Sequence, residues 1–219
     1  MRAISAPQSL YKPVVIATLL ALPAGAQSFV SATDQIPQGS PGNNSATENV
    51  DFADIDHDGD YDAVFADGGD GGNDRNRLWV NQGGLQGGTV GVFVDVTGAQ
   101  FPNVQDTSRD VDFVDIDNDG DEDLYVSNTS TQSNQSNRFH INQGGLQGGT
   151  AGFFVDETST RWINVGVNDG VTTFSSVATS FALPSGGFVD FSCDCVFGDL
   201  DNDGDVDLVH TTYGGIFGG

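Results

Sequence analysis

Apolar and polar residues alternate over short runs in this chain, and no stretch places apolar residues at helical spacing. VDFVDI (Val111–Ile116), DLYVSN (Asp123–Asn128), RFHIN (Arg138–Asn142) and GFFVDET (Gly152–Thr158) each carry the period of two that predicts a strand. Glycine-rich NQGGLQGGT joins the third and fourth runs, where glycine permits the positive φ angles of a tight turn. The acidic segment DIDNDGDED (Asp115–Asp123) joins the first and second.

This order is an internal repeat. NRLWVNQGGLQGGTVGVFVDVT (Asn76–Thr97) returns 61 residues later as NRFHINQGGLQGGTAGFFVDET (Asn137–Thr158), and DIDHDGDYD (Asp54–Asp62) recurs at the same offset. Four short antiparallel strands per repeat predict an all-β chain, a β-propeller of four-stranded antiparallel blades. A β-solenoid is the alternative, although its coils are usually shorter than this unit. A third acidic segment, DLDNDGDVD (Asp199–Asp207), lies 84 residues after the second, so about 23 residues are inserted within Ser159–Asp194. There INVGVNDGVTTFSSV (Ile163–Val177) reads as an extra hairpin turning at Asn168, Asp169 and Gly170. One strand, DLVHTTY, follows Asp207, and FVSAT (Phe29–Thr33) resembles the fourth strand FVDVT (Phe93–Thr97).

The expected division is a leader over 1–26, an N-terminal segment with a piece like the fourth strand over 27–50, a first blade over 51–97 and a second over 98–158. An inserted hairpin region over 159–194 and a partial third blade over 195–219 complete it. Two full blades and parts of a third fall short of the roughly four to eight a closed ring needs. The expectation is therefore a fragment of a longer propeller, or a chain whose open edges pair with other chains or with missing blades.

Arg2 and Lys12 precede an apolar run (Val14–Ala26) too short to span a bilayer, and Ala24, Gly25 and Ala26 supply a small-residue cleavage site. That order predicts export to the extracellular space, the cell surface or the periplasm, with Gln27 as the new terminus. Taking Arg2 and Lys12 from the seven basic residues leaves five arginines against 31 acids, a formal charge of −26. Such a field disfavours nucleic acid and anionic lipid, and it resists compaction unless counterions bind. Fifteen phenylalanines in alternating runs argue for a globular chain all the same. Cys193 and Cys195 share a strand face with Phe197, as core thiols would; a bond to a partner chain or to another part of the protein is the alternative.

The acidic segments carry the chemistry. Oxygens at positions 1, 3 and 5, a glycine at 6 and a further carboxylate suit calcium, which takes six to eight oxygens in flexible geometry. Magnesium demands strict octahedral geometry and keeps its waters. The predicted side-chain ligands are Asp54, Asp56, Asp58 and Asp62; Asp115, Asp117, Asp119 and Asp123; and Asp199, Asp201, Asp203 and Asp207. Asp60, Asp121 and Asp205, at position 7, contribute backbone carbonyls, which makes about three calcium ions. An EF-hand would close with Glu at position 12 on a helix, whereas these loops close with Asp at position 9 before a strand. Ile55, Ile116 and Leu200, at position 2, are expected to pin each loop to the core.

Asp-x-Asp-x-Asp-Gly-x-x-Asp, then Asn-Arg-Leu-x-x-Asn and Phe-Val-Asp-Val-Thr, resembles the FG-GAP/VCBS repeat family, whose calcium-binding blades also build the integrin α-subunit propeller. The resemblance spans Phe29 to about Tyr213 and implies a seven-bladed propeller in the parent protein, with calcium between the first and second strands of a blade. The expected function is a secreted adhesion or ligand-binding module whose calcium is structural and whose partner is an extracellular protein or glycan. Recognition then falls to the variable links Asp67–Asn76 and Ser127–Asn137 on the opposite rim. Sequons at Asn43, Asn128 and Asn134 would admit surface glycans. The propeller portion of a polysaccharide-active enzyme and a self-assembling structural subunit are the alternatives. Neither Gly-x-Ser-x-Gly nor His-Glu-x-x-His occurs, and His57, His140 and His210 fall at unrelated repeat positions, so no catalytic residue is assigned.

Overall fold

A computed structural model describes residues 31–37, 46–69, 72–128, 137–163, 174–175 and 192–212. The first repeat forms a sheet of β1 (Thr47–Ala53), β2 (Asp62–Asp67), β3 (Arg77–Asn81) and β4 (Phe93–Asp95), paired in that order. The second forms an equivalent sheet of β5 (Ser108–Val114), β6 (Asp123–Asn128), β7 (Arg138–Asn142) and β8 (Phe154–Asp156). Every pairing in both is antiparallel. β9 (Trp162–Ile163) pairs with β10 (Phe174–Ser175), and β11 (Ser192–Gly198) pairs antiparallel with β12 (Asp207–Thr212) as a third β1–β2 unit. The described chain is thus mostly β, with ten strands in antiparallel sheets and no closed barrel.

The predicted second and third strands of the second repeat coincide with β6 and β7. Its first strand ends at Val114 rather than Ile116, because Asp115 turns its carboxylate onto the amides of the acidic loop. Its fourth strand stops at Asp156, where the Asp156 carboxylate accepts the Thr158 N–H at 3.0 Å and hydroxyl at 2.6 Å. That local bond turns the backbone into α2 (Thr158–Arg161), as the Asp95–Thr97 bond turns it into α1 (Thr97–Gln100). A one-turn helix leaves no periodicity to read. The turn of the expected inserted hairpin lies outside the described residues. Its flanks pair parallel, Phe174 with Trp162 and Ser175 with Ile163, where a hairpin would pair antiparallel.

Alternation along β6 decides the packing, since neighbouring residues face opposite sides of the sheet. Leu124 and Val126, with Val111 and Phe154, meet Val64, Ala66, Leu78 and Val80 of the first sheet. Tyr125, Phe139 and Ile141 on the other face meet Cys195, Phe197 and Leu208. All six residues of β6 are buried, and each fully buried Leu or Val contributes roughly 1.5–3 kcal/mol. β1 and β5 also meet edge to edge, the Phe113 N–H donating to Asp51 Oδ2 at 2.9 Å.

Candidate metal centre

Each acidic loop starts where its first strand ends and closes where the second begins, as the pairs Ala53–Asp62, Val114–Asp123 and Gly198–Asp207 place it. Asp54 at position 1 accepts the N–H groups of Asp58 and Gly59 at 2.9 and 3.0 Å. Asp115 and Asp199 repeat the arrangement. His57, Asn118 and Asn202 at position 4 have φ of 62°, 55° and 62°. Asn tolerates that left-handed conformation, and the following glycine at position 6 has φ near 94° in the first two loops.

Carboxylate oxygens converge in all three loops. Those of Asp54, Asp56 and Asp58 lie within 4.8 Å of one another, as do those of Asp115, Asp117 and Asp123 and those of Asp199, Asp201 and Asp203. The predicted sets are therefore drawn together in part. Asp62 is buried and accepts the N–H groups of Ile55 and Asn81, and Asp119 accepts the Leu146 N–H. Burial pushes Asp62 up to about 7 and its counterpart Asp123 up to about 8. Asp60 and Asp121 set their carboxylates against Gly83 and Gly144 of the hairpins. The third loop is more open: Asp199, Asp201 and Asp203 are exposed. Leu200 is 65% exposed where Ile55 and Ile116 are buried, so among the described residues the expected pinning to the core is absent there, where β11 and β12 alone are described beside the loop.

The glycine-rich hairpins close over the first two loops. Gln86 Nε2 donates to Asp56 Oδ2 at 2.6 Å, and Gln147 Nε2 to Asp117 Oδ2 at 2.6 Å. The Leu85 N–H reaches Asp58 Oδ2 at 3.0 Å. A Cβ on Gly84 or Gly145, both at positive φ, would run into the carboxylates of Asp58 or Asp119. Sequence reasoning gave these segments no part in the site. Their identity between two otherwise diverging repeats was the available signal. Arg161 was also missed: its Nη2 donates to Asp117 Oδ2 at 2.8 Å with both side chains buried, and Gln100 occupies its place in the first repeat.

Among the described residues, no hydrogen-bond donor meets the buried Asp56 Oδ1 or Asp117 Oδ1. An unsatisfied buried acceptor costs about 1–3 kcal/mol, and more when charged. Three converging carboxylates, one with an oxygen that no protein donor meets, fit a hard cation with oxygen ligands.

Three other expectations resolve at neighbouring positions. Cys195 is a free, buried thiol that donates to Asp112 Oδ2 at 2.6 Å, and burial raises its pKa while holding Asp112 up at about 6. Asn128 is wholly buried and bonded to Ser108 and Asp106, so the folded chain offers no glycan site there; Asn43 and Asn134 lie outside the described residues. His140 packs in the core against Phe101, ring centroids 5.0 Å apart, and burial lowers its pKa to about 4.

No known family model matches the sequence, and no curated protein matches it significantly. Among the described residues, no helix is long and apolar enough to cross a membrane.

Proposed function

We propose that this is a secreted calcium-binding protein of the FG-GAP/VCBS kind. Its repeats are propeller blades, and its acidic loops hold structural calcium beneath a ligand-binding or adhesive surface. The observation that carries this reading is the buried, donorless oxygen of Asp56 and of Asp117, each at position 3 of a loop whose carboxylates converge. Asp54, Asp56 and Asp58 would hold one ion, Asp115, Asp117 and Asp123 a second, and Asp199, Asp201 and Asp203 a third. Bound calcium would offset carboxylate repulsion and supply the positive partner those oxygens lack. The residues themselves do the positioning: position 1 ties the loop amides, position 9 ties loop to strand, and Gln86 and Gln147 fix the central carboxylate. Calorimetric titration of the exported chain with calcium and with magnesium tests the reading. About three calcium ions and a melting temperature that collapses in chelator are expected, because a ligand bound only by the folded state stabilises it by about 2.7 kcal/mol at a hundredfold excess over Kd. Melting indifferent to chelator sinks it.

A further inference from the structure

A cleft of about 470 Å³ opens between the two β-sheets beside the first acidic loop, lined by Asp51, Phe52, Asp54, Tyr61, Phe113 and Glu122 among others. Its composition is unlike the rest of the surface. Phe52 is 53% exposed and Tyr61 67%, two of the three exposed aromatic residues in the described chain. Single exposed apolar side chains are ordinary, but exposed apolar surface gathered in a concave site is where binding sites form. Tyr61 and Glu122 both stand at position 8 of their loops, facing the cleft from opposite repeats. The third residue of that set, Val206, packs against the core where β11 and β12 meet the second sheet. At the first junction the repeat thus places a carboxylate where the second places an apolar side chain.

That carboxylate has no occupation inside the described chain. Asp51 accepts the N–H groups of Phe52 and Phe113, and Asp54 those of Asp58 and Gly59. The Glu122 side chain accepts no hydrogen bond from any described residue although it is half-buried. His57, at the rim, is paired with Asp121 of the next loop.

We propose that this cleft binds an arginine side chain of a partner polypeptide, the guanidinium lying on the rings of Phe52 and Tyr61 and donating to Glu122. A ring face attracts a cation within about 6 Å, and a planar guanidinium can stack and donate to a carboxylate at once. The acidic field of the whole chain draws cations toward such a cleft. A neutral sugar fits less well. Its hydroxyls could donate to the carboxylates but bring no positive charge to them, which a guanidinium does. Phe52, Tyr61 and Glu122 lie outside the three converging sets, whereas Asp54 both lines the cleft and belongs to the first set, so the cleft touches the calcium reading through that one residue.

The test is fluorescence or calorimetric titration of the calcium-loaded full chain with acetyl-arginine-amide and a tri-arginine peptide, at low and physiological salt. Saturable binding to one site is expected. It should weaken about fivefold to tenfold in Glu122→Gln and similarly in Tyr61→Ala, with melting temperatures unchanged. Asp34→Asn removes the same charge from an exposed position elsewhere and should leave affinity as it was. Binding that fails to saturate, that weakens equally in Asp34→Asn, or that survives Glu122→Gln overturns the proposal. So does a preference for neutral oligosaccharide over arginine.

Discussion

His57 in the first acidic loop is paired with Asp121 in the second, and Asn118 in the second donates to Asp205 in the third at 3.1 Å. In both cases position 4 of one loop reaches position 7 of the next. The left-handed backbone at position 4 is what aims the side chain outward across the repeat boundary. The loops are therefore linked in series. His57→Ala should weaken binding of calcium to its neighbouring loop as well as to its own, which a site-resolved titration against Asn118→Ala would separate. Strictly independent loops in both variants would refute the linkage.

The hydrogen bond to Asp121 holds the His57 pKa above its ordinary value. A base with a raised folded pKa contributes stability that is full below the unfolded value and is lost as pH rises through the folded one. Half-exposed, the pair is worth at most about 1 kcal/mol. Urea denaturation of His57→Ala should show its small deficit at pH 6 and none at pH 9.

Buried carboxylates set the larger pH dependence. Burial holds Asp62 up at about 7 and Asp123 up at about 8 in the folded chain, so without calcium their contribution to stability is full below the unfolded carboxylate value of about 3.9 and is lost as pH rises through 7 and 8. His140, held down near 4, acts oppositely: its contribution is lost as pH falls from 6.5 toward 4. Melting in chelator should therefore fall most steeply between about pH 6.5 and 8, where the carboxylates titrate and His140 no longer opposes them. Saturating calcium, which requires the carboxylates charged, should remove the alkaline decline. A flat profile in chelator would contradict the burial of these groups.

Arg161 is a cation already present in the second site. Removing one partner of a buried pair costs about 3–5 kcal/mol, so Arg161→Met should be severely destabilised without calcium. Added calcium should rescue it by more than it stabilises the wild type, because the ion is then the one cation facing Asp117, which keeps only the neutral Gln147 donor. Comparing melting shifts with and without calcium in both proteins decides the matter.

Gly84→Ala and Gly145→Ala should each cost about 1–3 kcal/mol, since a Cβ meets a loop carboxylate and the backbone sits at positive φ. Gln147→Ala should cost about 1 kcal/mol through Asp117. Denaturant titrations check both. An effect of Gly145→Ala no larger than that of an exposed glycine such as Gly98, which has open space around it, would argue against the close approach.

Much of this was legible because two periods are written plainly in the chain. Alternation located β6 and β7, and the 61-residue repeat paired each acidic loop with its hairpin. What was illegible depends on contacts between segments distant in sequence. Gln86 reads as a turn residue until the hairpin folds back onto Asp56, and Arg161 as a surface charge until α2 turns it inward. Leu200 shows the converse: an apolar residue in the expected position does not bury itself when the described structure supplies no wall.

The bond between Gln86 and Asp56 joins residues 30 apart, with β2 and β3 lying between them. A chain made from its N-terminus therefore produces each acidic loop well before the hairpin that shapes it. During synthesis the loop is an open cluster of repelling charges, and it becomes a defined cage only when the third strand has paired and the turn has closed. Capture of a cation would then be a late event in each repeat, a seal on strands already in register rather than the nucleus around which they assemble.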